Sequence, residues 1–124
     1  MENYPEIATE RFDNANFHIR YCLSFIKKYI RGNILEIGAG CGSFTRNYMD
    51  KTNEEIVLTE LDKKNIIDLQ NNFKDNSNIK IVNGLIDQVE KKFDTILYFH
   101  VLEHIKDDLA EIEKAKKKLK EGGH

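Results

Sequence analysis

The feature that most narrows the fold is the run Ile34-Leu-Glu-Ile-Gly-Ala-Gly-Cys-Gly-Ser43, in which a short apolar block stops at glycines on every second position. A block this short and this apolar suits a strand buried on both faces. Gly38, Gly40 and Gly42 then allow a tight turn and the close approach of a ligand where any Cβ would collide. An amphipathic segment follows at once, so the glycines join a strand to a helix.

The same alternation runs through the rest of the sequence. Residues 1–15, with the only proline, read as an N-terminal tail. From Asn16 to Arg31 the apolar positions Ile19, Leu23, Ile26 and Ile30 recur at helical spacing, widened by Cys22, Phe25 and Tyr29, up to a stop at Gly32. After the strand Asn33–Ile37, Ser43 is placed to cap a helix over Phe44–Lys51. Glu55–Thr59 is a second strand, and Asp62 caps a helix whose Ile66, Leu69 and Phe73 share a face. Turn residues Asn76-Ser-Asn78 lead to strands at Ile79–Asn83 and Asp94–Phe99. The last helix is expected over Glu103–Lys120, with Leu102, Ile105, Leu109, Ile112 and Leu119 on one side. Parallel neighbours need crossover helices, and those helices cover both faces of the sheet. The fold class expected is α/β: a Rossmann-like, open, doubly wound parallel sheet.

With 124 residues, one domain spanning 1–124 is the natural reading. Nineteen basic and twenty-one acidic residues are interleaved and leave a net charge of -2, which implies no polyanion-binding surface. The basic run Lys114–Lys120 sits where cations suit the negative end of a helix dipole and lacks interleaved aromatics, which argues against nucleic acid as a partner. No apolar stretch nears the roughly 18 residues of a membrane span. The first twenty residues have no basic start followed by an apolar block, so no signal peptide is read there. Cys22 and Cys41 form at most one bridge and show no metal-ligand spacing. Reduced thiols in a cytoplasmic protein are expected, with no metal site, Cys22 packed in the core and Cys41 a small loop residue.

Glu60 ends the second strand about 20 residues past the first glycine, where a carboxylate can accept the hydroxyls of a ribose. A nucleoside ligand is the consequence. The glycines run G-x-G-x-G, with Ser43 in the place of the third glycine of a dinucleotide fingerprint, which disfavours a nicotinamide-dependent oxidoreductase. Glu36, two residues before Gly38, would repel a pyrophosphate and suits a ligand with a cationic amine.

On these residues the sequence resembles a class I S-adenosylmethionine-dependent methyltransferase from about Ile34 to Gly123. The resemblance is carried by Leu35-Glu-Ile-Gly-Ala-Gly-Cys-Gly42, Glu60, Phe93-Asp-Thr-Ile-Leu97, Val101-Leu-Glu-His-Ile105 with Asp107 and Asp108, and Leu119-Lys-Glu-Gly-Gly123. It implies S-adenosyl-L-methionine as cofactor, with Glu36, Gly38, Ala39 and Gly40 around its methionine part, Gly42 also in the cofactor-binding loop, Glu60 on the ribose and Leu61 on the adenine. Where the family commonly has an Asp for the adenine amine, this sequence has Leu85, so packing by Leu85 and Ile86, or a reach by Asp87, would substitute. The helix Asn16–Arg31 would cover the cofactor from one side.

The family sheet runs 3-2-1-4-5-7-6, whereas this sequence stops at His124. Four strands in the order 3-2-1-4 are expected, with the fourth as an open edge for a longer chain, a second copy or a partner chain. Methyl transfer is an in-line displacement that gains rate from alignment and exclusion of water. A base is needed only if the acceptor must lose a proton. His100 follows the fourth strand, where it would line the site or act as that catalytic base; Glu103 and His104 read as helix-start residues. The expected function is methyl transfer to a small-molecule or glycan-related acceptor, this chain supplying the cofactor-binding half. The rival is a non-catalytic nucleoside-binding module that needs a partner chain.

Overall fold

The computed structural model describes residues 5–124, with side chains from residue 16 onward. Four strands, β1 (Ile34–Ile37), β2 (Ile56–Glu60), β3 (Ile79–Asn83) and β4 (Thr95–Tyr98), form one sheet in the order β3-β2-β1-β4. All three pairings are parallel, with Glu36 beside Leu58 on one flank and beside Leu97 on the other. The helices are α1 (Pro5–Ile26), α2 (Ser43–Tyr48), α3 (Lys63–Asn72) and α4 (Asp108–Lys117).

Successive strand residues point to opposite faces, and the core divides accordingly. Ile34, Ile56, Leu58 and Leu97 pack with Ile19 and Leu23 of α1, Tyr48 of α2, and Leu69 and Phe73 around α3. Leu35, Ile37 and Val57 pack on the other face with Ile86, Val89, Phe93 and Ala115 of α4. The two neighbours of β1 therefore belong to connections that leave toward different faces, which opens a crevice beyond its carboxyl end.

Several boundaries differ from the sequence expectation. Segment 5–15, read as tail, lies within α1, and that helix gives way to a 3-10 turn at Lys27–Tyr29. Ser43 is the first residue of α2 and not its cap; the capping position is Gly42, in left-handed conformation and with no side-chain bond. Asp62 does cap α3, accepting from the amides of Lys64 and Asn65.

The final helix differs most. Leu102–His104 is a separate 3-10 turn, and α4 starts only at Asp108, where Asp107 accepts from the Ala110 amide. The apolar stripe expected to be covered is instead open: Leu109 is 74% exposed and Ile112 47%, while Ala115 is the buried contact. On α1 the widened apolar face also narrows, since Phe25 is 62% exposed.

The β4 edge is partly occupied by the chain itself. The His124 amide donates to Asp94 O at 2.9 Å, and His124 O accepts from the Ile96 amide at 2.8 Å. Among the described residues no helix is long and apolar enough to cross a membrane.

Candidate functional site

The loop between β1 and α2 is fixed by its own backbone. Gly38, Gly40 and Gly42 all have positive φ, and the last two do different work. At Gly42 (φ 93) a Cβ would lie 2.4 Å from the Phe73 ring, so the absence of a side chain lets α2 start directly over α3's end. At Gly40 (φ 60) a Cβ would meet nothing within 4 Å. Left-handed backbone favours glycine there, and the space above it is open.

Glu60 ties this loop to the end of β2. Its Oε1 accepts the Gly40 amide at 3.1 Å, and its Oε2 accepts the amides of Leu61 at 3.1 Å and Asp62 at 3.2 Å. A carboxylate offers about four acceptor sites, so the group is both an anchor for the loop and a remaining acceptor beside Gly40. The Ala39 amide completes the tie by donating to Thr59 O at 2.9 Å.

Glu36 has other partners than the amine expected from the sequence. It is 1% exposed, and its Oε1 accepts from Thr45 Oγ1 at 2.7 Å and Tyr48 Oη at 2.6 Å, both on α2. Burial pushes its carboxyl up to about 7 despite those two bonds, which favour the charged form. The Tyr48 hydroxyl is held far above its ordinary range by burial and by Glu36. Thr45 and Tyr48 were not legible as site residues. Their only sequence signal is a spacing that puts them on the inner side of a short helix.

Apolar surface flanks the loop. Leu61, after β2, is 60% exposed and Leu85, after β3, is 51% exposed, so both have faces to offer a flat ring. Ile86 does not: it is 1% exposed and belongs to the core on the opposite face of the sheet. Asp87 is paired with Lys114 at 3.1 Å.

His100 stands across the crevice, just past β4, and has the one positive φ (56) outside glycine among the described residues. Its Nε2 lies 3.3 Å from His18 Nε2 of α1, and its ring also meets Phe44, which stacks on Phe99 at 4.1 Å between centroids. Glu103 and His104 are exposed and lie 3.8 Å apart. Cys22 is half-buried and not a core residue in the sense expected, because its Sγ lies 3.6 Å from His18 Nε2. Cys41 is exposed, and both cysteines are free.

The features fit a neutral or cationic nucleoside. Open space over a side-chain-free residue, an acidic acceptor beside it and two exposed leucines suit a purine riboside.

Residues 35–124 match the sequence model of a family described as a methyltransferase domain. Among curated proteins none matches. Solved structures with the same fold include an S-adenosylmethionine-dependent methyltransferase from Clostridium acetobutylicum, 23% identical with a TM-score of 0.66, covering 87% of this chain and 46% of its own. Magnesium protoporphyrin IX methyltransferase from Synechocystis, determined with bound SAM, is 12% identical with a TM-score of 0.71, covering 96% of this chain and 61% of its own. StiE O-MT is 19% identical with a TM-score of 0.77, covering 95% of this chain and 44% of its own. The chain thus spans about half the length of these relatives, and at such identities the likeness is one of fold.

Proposed function

Because the chain belongs to the methyltransferase domain family, we propose that it binds S-adenosylmethionine over the β1–α2 loop and supplies the cofactor-binding half of a methyl transfer to a small-molecule or glycan-related acceptor. The observation that carries this reading is the vacant approach to Gly40 with the Glu60 carboxylate 3.1 Å from its amide. When bound, S-adenosylmethionine supplies an electrophilic methyl group on a sulfonium.

The chain's own residues hold and orient. Gly40 and Ala39 admit the ligand to backbone distance, Glu60 accepts ribose hydroxyls with the acceptor capacity its three amide bonds leave, and Leu61 and Leu85 cover the base. Glu36 acts behind this surface: by gripping Thr45 and Tyr48 it fixes α2 against β1 and so sets the loop's exit angle. Its negative form also favours a sulfonium or ammonium above the loop. His100 and Phe44 line the side from which an acceptor would approach, where alignment and exclusion of water supply the rate.

The acceptor class is favoured by the basic run Lys114–Lys120, which has no interleaved aromatics for nucleic acid; the neighbours' names point several ways, to a porphyrin, to a ribosomal protein and to RNA. A cytoplasmic setting is in keeping with two free thiols. The β4 edge beyond its contacts with His124 is the place where further chain or a partner would add. Calorimetric titration with S-adenosylmethionine and with S-adenosylhomocysteine tests the reading. Saturable one-to-one heat is expected, and no heat from either ligand would remove the proposal.

A further inference from the structure

Of the cluster His18, Cys22 and His100, only His100 has a role above, and that role leaves the meeting of the three side chains unexplained. His18 and Cys22 are four residues apart on α1, so their side chains share one helix face. His100 comes from just past β4, 82 residues from His18 in sequence, and has a left-handed backbone. Among non-glycine residues His is one of the few enriched in that conformation.

Two of the three donor separations are those of a shared cation, and the third lies within 4.8 Å. In a tetrahedral zinc site with nitrogens at about 2.0–2.1 Å and a thiolate at about 2.3 Å, donors sit about 3.3–3.4 Å apart for two nitrogens and about 3.6 Å apart for nitrogen and sulfur. The two histidine nitrogens here are 3.3 Å apart, the His18 nitrogen and Cys22 sulfur are 3.6 Å apart, and all three donor atoms lie within 4.8 Å of one another.

Hydrogen bonding alone serves the cluster less well. His18 Nε2 faces both His100 Nε2 and Cys22 Sγ, yet a neutral imidazole nitrogen has either one proton or one lone pair. One cation at the centre uses all three donors at once. Two imidazoles and a thiolate are the donor set of zinc-class ions and not of magnesium or calcium.

We propose that His18, Cys22 and His100 bind one zinc-class divalent cation, clasping α1 to the β4 rim beside the glycine loop. The Cys22 thiol proton leaves to solvent as the thiolate coordinates. Three protein ligands leave a fourth position for water, the arrangement of an accessible and not a closed structural site. A cation there occupies His100 Nε2, so the ring serves as ligand and not as base. The site does not depend on the cofactor reading, since neither Gly40 nor Glu60 takes part.

The test is a titration of the full chain with Co2+ alone, followed by visible and near-ultraviolet absorption, with Zn2+ as competitor. Expected are one cobalt per chain, intense tetrahedral bands, a thiolate-to-cobalt charge-transfer band and displacement by one equivalent of Zn2+. Cys22→Ser should abolish the charge-transfer band, His18→Ala should weaken binding roughly tenfold or more, and Cys41→Ser should change neither. Circular dichroism verifies that the variants fold. Absence of the band in the unaltered chain, its survival in Cys22→Ser or its loss in Cys41→Ser would overturn the proposal and leave a hydrogen-bonded cluster only.

Discussion

The two sides of the crevice are built differently. On the β1–β2 side, position is set by backbone: three amides converge on Glu60, and a fourth, that of Ala39, on Thr59 O. On the β4 side, position is set by side chains that meet from distant segments, His18 with His100 and Phe44 with Phe99. The first side needs residues that lack something, namely a Cβ, while the second needs residues that carry something, namely rings and a thiol. Substitutions should therefore act on the first through shape and on the second through chemistry.

The largest effect on stability is expected beneath the loop. Gly42→Val adds a Cβ 2.4 Å from Phe73 at a left-handed residue, and should cost about 4 kcal/mol from backbone strain and overpacking together. Urea denaturation checks it. A variant as stable as the parent would mean that the loop can repack and that its shape is not set by glycine.

Next in size is a pH effect on the same side. The Glu36 carboxyl is raised to about 7 by burial, so the folded state binds its proton more tightly than the unfolded state. Its share of the stability is complete below the unfolded value of about 4.5, is lost as pH rises to about 7, and totals roughly 3 kcal/mol across that window. Glu36→Gln has no such proton, so the parent should lose stability relative to it by that amount between those limits. Parallel stability curves for the two proteins would show that Glu36 is charged at no cost.

Glu60→Ala removes the acceptor of the Gly40, Leu61 and Asp62 amides. Loss of charged hydrogen bonds of about 1.5–3 kcal/mol should weaken S-adenosylhomocysteine affinity about tenfold to a hundredfold, measured by calorimetry, with His100-side substitutions such as Phe44→Leu moving it less. The smallest effect belongs to α4. Leu109→Lys, at a site 74% exposed, should leave stability within about 0.5 kcal/mol, and a larger loss would place a cover on that stripe.

The same contrast explains what could be read from the sequence. The strands were legible because burial on both faces leaves continuous apolar runs; Ile79–Asn83 matches β3 to the residue. The loop and Glu60 were legible because glycine spacing and strand length fix their relation locally. Two features were not. The stripe of Leu109 and Ile112 has helical period but faces outward, since α4 is short and its contact with the sheet runs through Ala115. The meeting of His18 and Cys22 with His100 depends on a tertiary contact and on one left-handed residue, neither of which has a periodic signal. Cys22 looked like core because its position falls in the helical apolar pattern.

The most direct measurement is affinity for S-adenosylhomocysteine in Gly40→Asn. Asn tolerates left-handed backbone, so the fold should persist while a side chain enters the open approach above residue 40. Binding should fall at least tenfold, about 1.4 kcal/mol, with the denaturation midpoint nearly unchanged. Unaltered affinity in a folded Gly40→Asn protein would mean that the adenosyl ligand does not sit over the β1–α2 loop.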